Sequence, residues 1–156
     1  MILKNKRNLD SNKPKIKLKP FIDNCLRAKG YISVPSNQIV ASKYLEQPIY
    51  AKHFLIGKSD YEKDLHCDFI IYHPEKYPDF LLIDSKWQEK KGTTEQKFHF
   101  WIFHIKQYFP YTTVILLDGG GYYEGAEKWV RKQVDEKLIK VFNKIEFEKW
   151  ISEGGL

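Results

Sequence analysis

The chain has 156 residues, 42% apolar and 29% charged, a balance that supports one folded domain with a buried core and argues against a disordered or fibrous protein. Its apolar runs fall far short of the ~20 residues that cross a bilayer, and the N-terminus lacks the apolar core of a signal peptide, so the expected setting is cytoplasmic, with no membrane partner. The net charge of +6 comes from 26 basic and 20 acidic residues, and residues 1–20 hold seven of the former (Lys4, Lys6, Arg7, Lys13, Lys15, Lys17, Lys19) and one of the latter (Asp10), so the remaining 19 and 19 cancel.

Residues 1–18 therefore read as a basic N-terminal arm, and residues 19–156 as a single domain. Such an arm suits a polyanion, because each phosphate it neutralises releases counterions. A solvated tail would have the same composition. The two cysteines, Cys25 and Cys67, have neither metal-site nor disulfide-framework spacing and read as reduced thiols.

Lys19 to Lys29 reads as a helix, with Phe21, Ile22, Cys25 and Leu26 in one stripe, Pro20 in its first turn and Gly30 as the stop. Ser36-Asn37 opens a short helix in which Ile39, Val40, Tyr44 and Leu45 are expected to pack inward. A strand includes Lys52 to Ile56. Two further apolar runs, Cys67 to Tyr72 and Phe80 to Trp87, flank a proline-containing hairpin loop, His73 to Asp79. Thr93 to Gln96 reads as a capping box. The helix behind it carries Phe98, Trp101, Ile102, Ile105 and Phe109 at helical period, and Pro110 ends it. Thr112 to Leu117 is a buried, parallel-type strand, Asp118-Gly119-Gly120-Gly121 a tight turn without dinucleotide spacing, and Glu124 to Glu136 a helix burying Ala126, Trp129, Val130 and Val134. Leu138 to Phe142 is a last strand. A short helix capped by Asn143 follows, with Phe147, Trp150 and Ile151 apolar. The order is an α/β sandwich on a mixed sheet, its first three strands a meander and its later ones parallel. At these periods the aromatic residues read as packing rather than as base-stacking groups.

The chemistry gathers at the ends of the two central runs. Asp84 and Lys86, two apart on a strand, project to one face. The adjacent strand, ~4.8 Å away, would bring Asp68 to the same point. Two carboxylates and an ammonium are costly in a core but suit a bound divalent metal, the alternative being a salt-bridged cluster at a sheet edge.

Asp68, followed one strand later by Asp84-Ser85-Lys86, resembles the PD-(D/E)XK nuclease superfamily. The likeness runs over most of residues 20–142: a helix before the strands, then a strongly apolar helix and a buried strand after the Asp-x-Lys. Cys67 stands where the motif has proline. The resemblance implies a restriction-endonuclease-like αβββαβ core with a mixed central sheet flanked by helices, followed by an extra C-terminal helix and strand. It implies Mg²⁺, with Mn²⁺ able to substitute, held by Asp68, Asp84 and the backbone carbonyl of Ser85, ligands of the oxygen class that Mg²⁺ takes. Lys86 would orient the attacking water or meet the charge of the transition state. Gln88 is similar to the polar residue that follows the lysine in several branches, although a solvated strand-end residue would look the same.

Many superfamily members place an acid on the first helix; Asp23 is the candidate here and Glu46 a weaker one, although Asp23 reads first as a residue that faces solvent or caps locally. Lys97, one turn into the helix after the motif, reads as a phosphate contact or as a surface lysine. The five histidines make no zinc spacing and read as surface or packed residues, His66 being placed to line a cleft. The resulting expectation is an Mg²⁺-dependent DNA endonuclease of small restriction or mobile-element type, acting as a homodimer. A structure-selective junction nuclease, an RNA nuclease and a non-catalytic nucleic-acid-binding protein on the same fold are the alternatives.

Overall fold

The computed structural model describes residues 17–89 and 94–156. Helix α1 (Leu18–Ala28) buries Leu18, Ile22 and Leu26 and ends where the sequence expects, because Gly30 takes φ 85°. Gly30 N–H then donates to Arg27 O at 3.0 Å and Tyr31 N–H to Leu26 O at 3.1 Å, a Schellman closure. Leu18, on the arm side of the boundary expected from sequence, is the buried first residue of this helix.

A two-residue strand β1 (Ile32–Ser33) and two 3-10 turns (Ser36–Gln38, Ala41–Leu45) come next. Here the expected short helix is corrected. A 3-10 turn repeats every three residues rather than every 3.6, so the apolar stripe does not align. Ile39 is buried, but Val40, Tyr44 and Leu45 are exposed, Tyr44 by 78%.

Strands β2 (Ile49–Lys58), β3 (Asp64–His73) and β4 (Tyr77–Trp87) form the antiparallel meander, with Ile70 opposite Leu82 and Phe69 opposite Ile83. Helix α2 (Thr94–Tyr108) leads to β5 (Thr113–Asp118), parallel to β4 with Asp84 opposite Ile115 and Lys86 opposite Leu117. The capping box expected at Thr93 to Gln96 lies largely outside the described residues. Helix α3 (Glu124–Lys132) leads to β6 (Leu138–Phe142), parallel to β5. Because α3 stops at Lys132, Val134 falls in the turn behind it and is 45% exposed rather than buried. Helix α4 (Lys144–Ser152) starts on a capping box: Asn143 accepts from Glu146 N–H at 2.8 Å, and Glu146 accepts from Asn143 N–H at 3.0 Å.

The sheet order is β1-β2-β3-β4-β5-β6, and each face is covered by two helices. Ile70, Leu82, Ile115 and Leu117 pack with Phe98, Trp101 and Ile105 of α2 and Ala126 and Val130 of α3. Phe69, Ile71, Leu81 and Ile83 pack with Ile22 and Leu26 of α1 and Phe147 and Ile151 of α4. Among the described residues no helix is long and apolar enough to cross a membrane.

Candidate active site

The β3–β4 ladder runs as far as Phe69 opposite Ile83. Beyond that pair, carboxylates take over as acceptors. Asp68 N–H donates to Asp84 Oδ1 at 3.0 Å, and Ser85 N–H donates to Asp68 Oδ2 at 3.0 Å. Each acid thus accepts from the backbone of the opposite strand. Ser85 Oγ adds a 2.7 Å bond to Asp68 Oδ2.

This geometry corrects the expectation that all three charges share one face. Asp84 follows Leu82 onto the α2 side, where Trp101 Nε1–H donates to Asp84 Oδ2 at 2.7 Å. Lys86 is on that side too, its Nζ 5.2 Å from the centre of the Trp101 ring. Asp68 instead meets α1: its Oδ1 pairs with Lys19 Nζ at 3.3 Å. Strand alternation is broken at this point, since Cys67 and Ile70 belong to the α2-side core and Phe69 to the α1-side core. His53, between the partners of Cys67 and Phe69 on β2, has φ 51°. The two carboxylates therefore meet across the strand edges rather than on one face.

Electrostatics follow from that packing. Burial and then the charge of Asp68 push the Asp84 carboxyl up to about 7, with the bonds from Trp101 and the Asp68 amide and the charge of Lys86 acting in the opposite sense. Burial and the charge of Lys86 push His104, one turn beyond Trp101, downward. Cys67, at the proline position of the motif, is buried in the core with Sγ 3.3 Å from Ile83 O.

Gln88 is held through its backbone: its N–H donates to Asp118 O at 2.9 Å, and its carbonyl accepts from Gly121 N–H at 2.7 Å. Gly119, at φ 106°, makes the approach possible, because a Cβ there would lie 2.4 Å from Gln88 O. The triple glycine is therefore a clamp on the end of β4 as well as a turn.

A groove of about 620 Å³, lined by Lys17, Lys19, Ser85, Trp87 and Gln88, opens on the α1 side. A second cavity of about 270 Å³ is bounded by Lys19, Asp23, Lys52, His53 and Asp68. Lys19 lines both. Asp23 thus shares a cavity with Asp68, but it is bound into a network of its own. It accepts from Tyr50 OH and pairs with Lys52 Nζ at 3.2 Å and Arg27 Nε at 3.5 Å. Burial opposes its charge, but the bonds from Tyr50 and Lys52 and the charges of Lys52 and Arg27 prevail and hold it below the usual aspartate value. Glu46 is exposed at the end of the second 3-10 turn. Lys97 is exposed on α2, one turn before Trp101. Lys4, Lys6, Arg7, Lys13 and Lys15 lie outside the described residues.

Lys19 and Trp101 are the site neighbours that sequence reasoning missed. Lys19 reads as one of seven cations in residues 1–20 and the first residue of a helix, and Trp101 as one member of a core stripe. The only available signal for Trp101 is chemical, since a buried indole N–H needs an acceptor.

A family model described as the PD-(D/E)XK nuclease superfamily domain matches residues 11–153. The chain belongs to that superfamily. Among the described residues, the mixed six-stranded sheet and four helices are consistent with the PD-(D/E)XK fold. Membership supports a nuclease function, and PD-(D/E)XK nucleases typically use divalent metal ions. No curated protein and no solved structure matches the chain. Among the described residues no group of three or more His, Cys, Asp or Glu side chains is gathered for a metal. The acid pair still fits a hard divalent cation: its donors are all oxygens, and burial together with the neighbouring Asp68 charge disfavours the Asp84 carboxylate in a way that a bound cation would offset.

Proposed function

We propose that the chain is a DNA endonuclease that hydrolyses phosphodiester bonds with Mg²⁺, Mn²⁺ being able to replace it. One observation carries this reading: at the ends of β3 and β4 two carboxylates each accept from a backbone amide of the opposite strand, Asp84 from Asp68 N–H and Asp68 from Ser85 N–H, with Lys86 on the same side as Asp84. Asp68, Asp84 and the Ser85 carbonyl would hold the ion, leaving room for the waters Mg²⁺ keeps. When bound, the ion supplies a water of lowered pKa and offsets charge on the phosphate. Lys86, steadied over the Trp101 ring, orients the attacking water and meets the charge that grows on the phosphate oxygens. Gln88, its backbone clamped by the Gly119 turn, positions water or a phosphate oxygen. Lys17, Lys97 and the cations of the 1–18 arm (Lys4, Lys6, Arg7, Lys13, Lys15) contact the phosphate backbone without reading sequence. Residues 19–156 act as one catalytic unit, two copies cut the two strands as a homodimer, and the setting is cytoplasmic, in keeping with two unpaired cysteines.

A cleavage assay on plasmid, linear and branched DNA tests this, comparing the wild type with Lys86→Ala in Mg²⁺, in Mn²⁺ and in chelator. Metal-dependent cleavage is expected from the wild type. Lys86→Ala should lose it while still folding and binding DNA. Cleavage by Lys86→Ala would remove the site assignment. DNA binding without cleavage by either protein would replace the enzyme with a binding module.

A further inference from the structure

We propose that the outer side of α2, carrying Phe100, Phe103 and His104, is a stacking platform for unpaired bases of a single-stranded segment entering the site. The aromatic residues of this helix divide into two sets. Phe98 and Trp101 are buried in the core, as their helical period implies, whereas Phe100 and Phe103, which fall outside that stripe, are 62% and 49% exposed. The outer rings form a continuous group: Phe100 and Phe103 lie 6.5 and 6.0 Å from His104, and Phe103 lies 6.2 Å from Tyr108.

Position and charge then select the occupant. Trp101, under Lys86 and bonded to Asp84, lies one turn before His104 on the same helix, so the platform borders the proposed catalytic group. Lys97 precedes Phe100 by one turn and is exposed, giving the cation-and-ring alternation that holds a nucleic acid strand. A second copy of the chain fits less well. The two phenylalanines leave roughly 200 Å² exposed, against ~800 Å² per partner in a standard interface. Duplex DNA fits less well too, since its bases are already stacked on one another and only unpaired bases offer a free face. The choice of a strand near its cleavage point rests on the nuclease reading; the binding surface itself does not.

The test is fluorescence anisotropy of the full chain in chelator, with a thymidine oligomer of about 20 nucleotides and a duplex of equal length as probes. Phe100→Ala with Phe103→Ala should weaken oligomer binding about ten- to hundredfold and leave duplex binding unchanged. The leucine pair, which keeps apolar bulk without a ring face, should behave like alanine, and the tyrosine pair should restore binding. Equal losses on both probes, leucine binding as tightly as phenylalanine, or no oligomer binding by the wild type would overturn the platform. So would unchanged oligomer binding by the alanine pair, including a case where a wild-type dimer dissociates in that variant, which would make this a self-association surface. Lost oligomer binding in a protein that cleaves nothing would support the platform and refute the nuclease reading alone. Intact cleavage with unchanged affinities would refute the platform alone.

Discussion

Asp84→Asn separates the cost of burying a charge from the use made of it. Burial and Asp68 push the Asp84 carboxyl up to about 7, against ~3.9 for a free aspartate. Because the folded protein then holds this proton more tightly than the unfolded chain, the native state is the better proton binder between those values. Stability from this group is full below about pH 4 and is lost as the pH rises through about 7. Each pH unit of the gap is worth about 1.4 kcal/mol, so the ceiling is ~4 kcal/mol, or roughly 10 °C in Tm for a domain of this size. The asparagine removes the titration. It also leaves one of two donors, the Asp68 amide or Trp101 Nε1–H, short of an acceptor, a pH-independent loss of about 1–3 kcal/mol. The readout is therefore the pH slope and not the absolute Tm. Asp23 and Glu146, both held below their usual values, lose stabilising charge at low pH in either protein and cancel in the difference. In chelator, the wild-type Tm should fall relative to the variant by up to roughly 10 °C between about pH 4.5 and about pH 8. Mg²⁺ should recover the wild type at the upper pH and leave the variant unmoved. Parallel profiles would refute the burial argument, and a full Mg²⁺ response in the variant would refute Asp84 as a ligand.

Trp101→Phe keeps a ring under Lys86 but deletes the N–H bonded to Asp84 Oδ2. The Asp84 pKa should rise further, so the acid limb of the pH–rate profile should move to higher pH with a stability loss of about 1–3 kcal/mol; an unmoved limb refutes the coupling. Gly119→Ala places a Cβ 2.4 Å from Gln88 O at φ 106°, and thermal melts and turnover should both fall, by about 1–3 kcal/mol in stability. Gly120→Ala, at φ 68° with open space around it, is the comparison, and equal losses would mean that the Gln88 clamp has no role. Deleting residues 1–16, which stops short of the buried Leu18, should make the salt slope of DNA binding less steep by about one for each phosphate the arm had neutralised; an unchanged slope would mean that the arm touches no DNA.

The elements visible in sequence are those whose period matches their burial. The α2 stripe, from Phe98 to Phe109, is buried throughout, and Leu138 to Phe142 is a strand with the expected bounds. The region from Ile32 to Leu45 misleads, because a two-residue strand and two 3-10 turns carry neither a period of 2 nor one of 3.6. In the site, the identity and spacing of Asp68, Asp84 and Lys86 could be read, but not their facing. Alternation assumes an unbroken ladder, and here the ladder gives way where the acids begin. Lys19 is invisible for another reason: only the docking of α1 on the sheet brings it to Asp68.

The acceptor roles of Asp68 and Asp84 toward opposite strands have a consequence for descent. Each acid replaces a ladder carbonyl for the neighbouring strand, so loss of either would leave a part-buried amide without its partner and fray the strand end, whether or not the protein still cuts anything. A lineage that gave up cleavage would still need an acceptor oxygen at both positions for folding, which aspartate or asparagine can supply. Lys86, whose ammonium rests on a ring face, has a weaker claim of that kind and would drift first. On the proposed function, the lysine is therefore the more telling marker of a working enzyme among relatives of this chain, and a pair of acceptor oxygens at positions 68 and 84 the more telling marker of the fold.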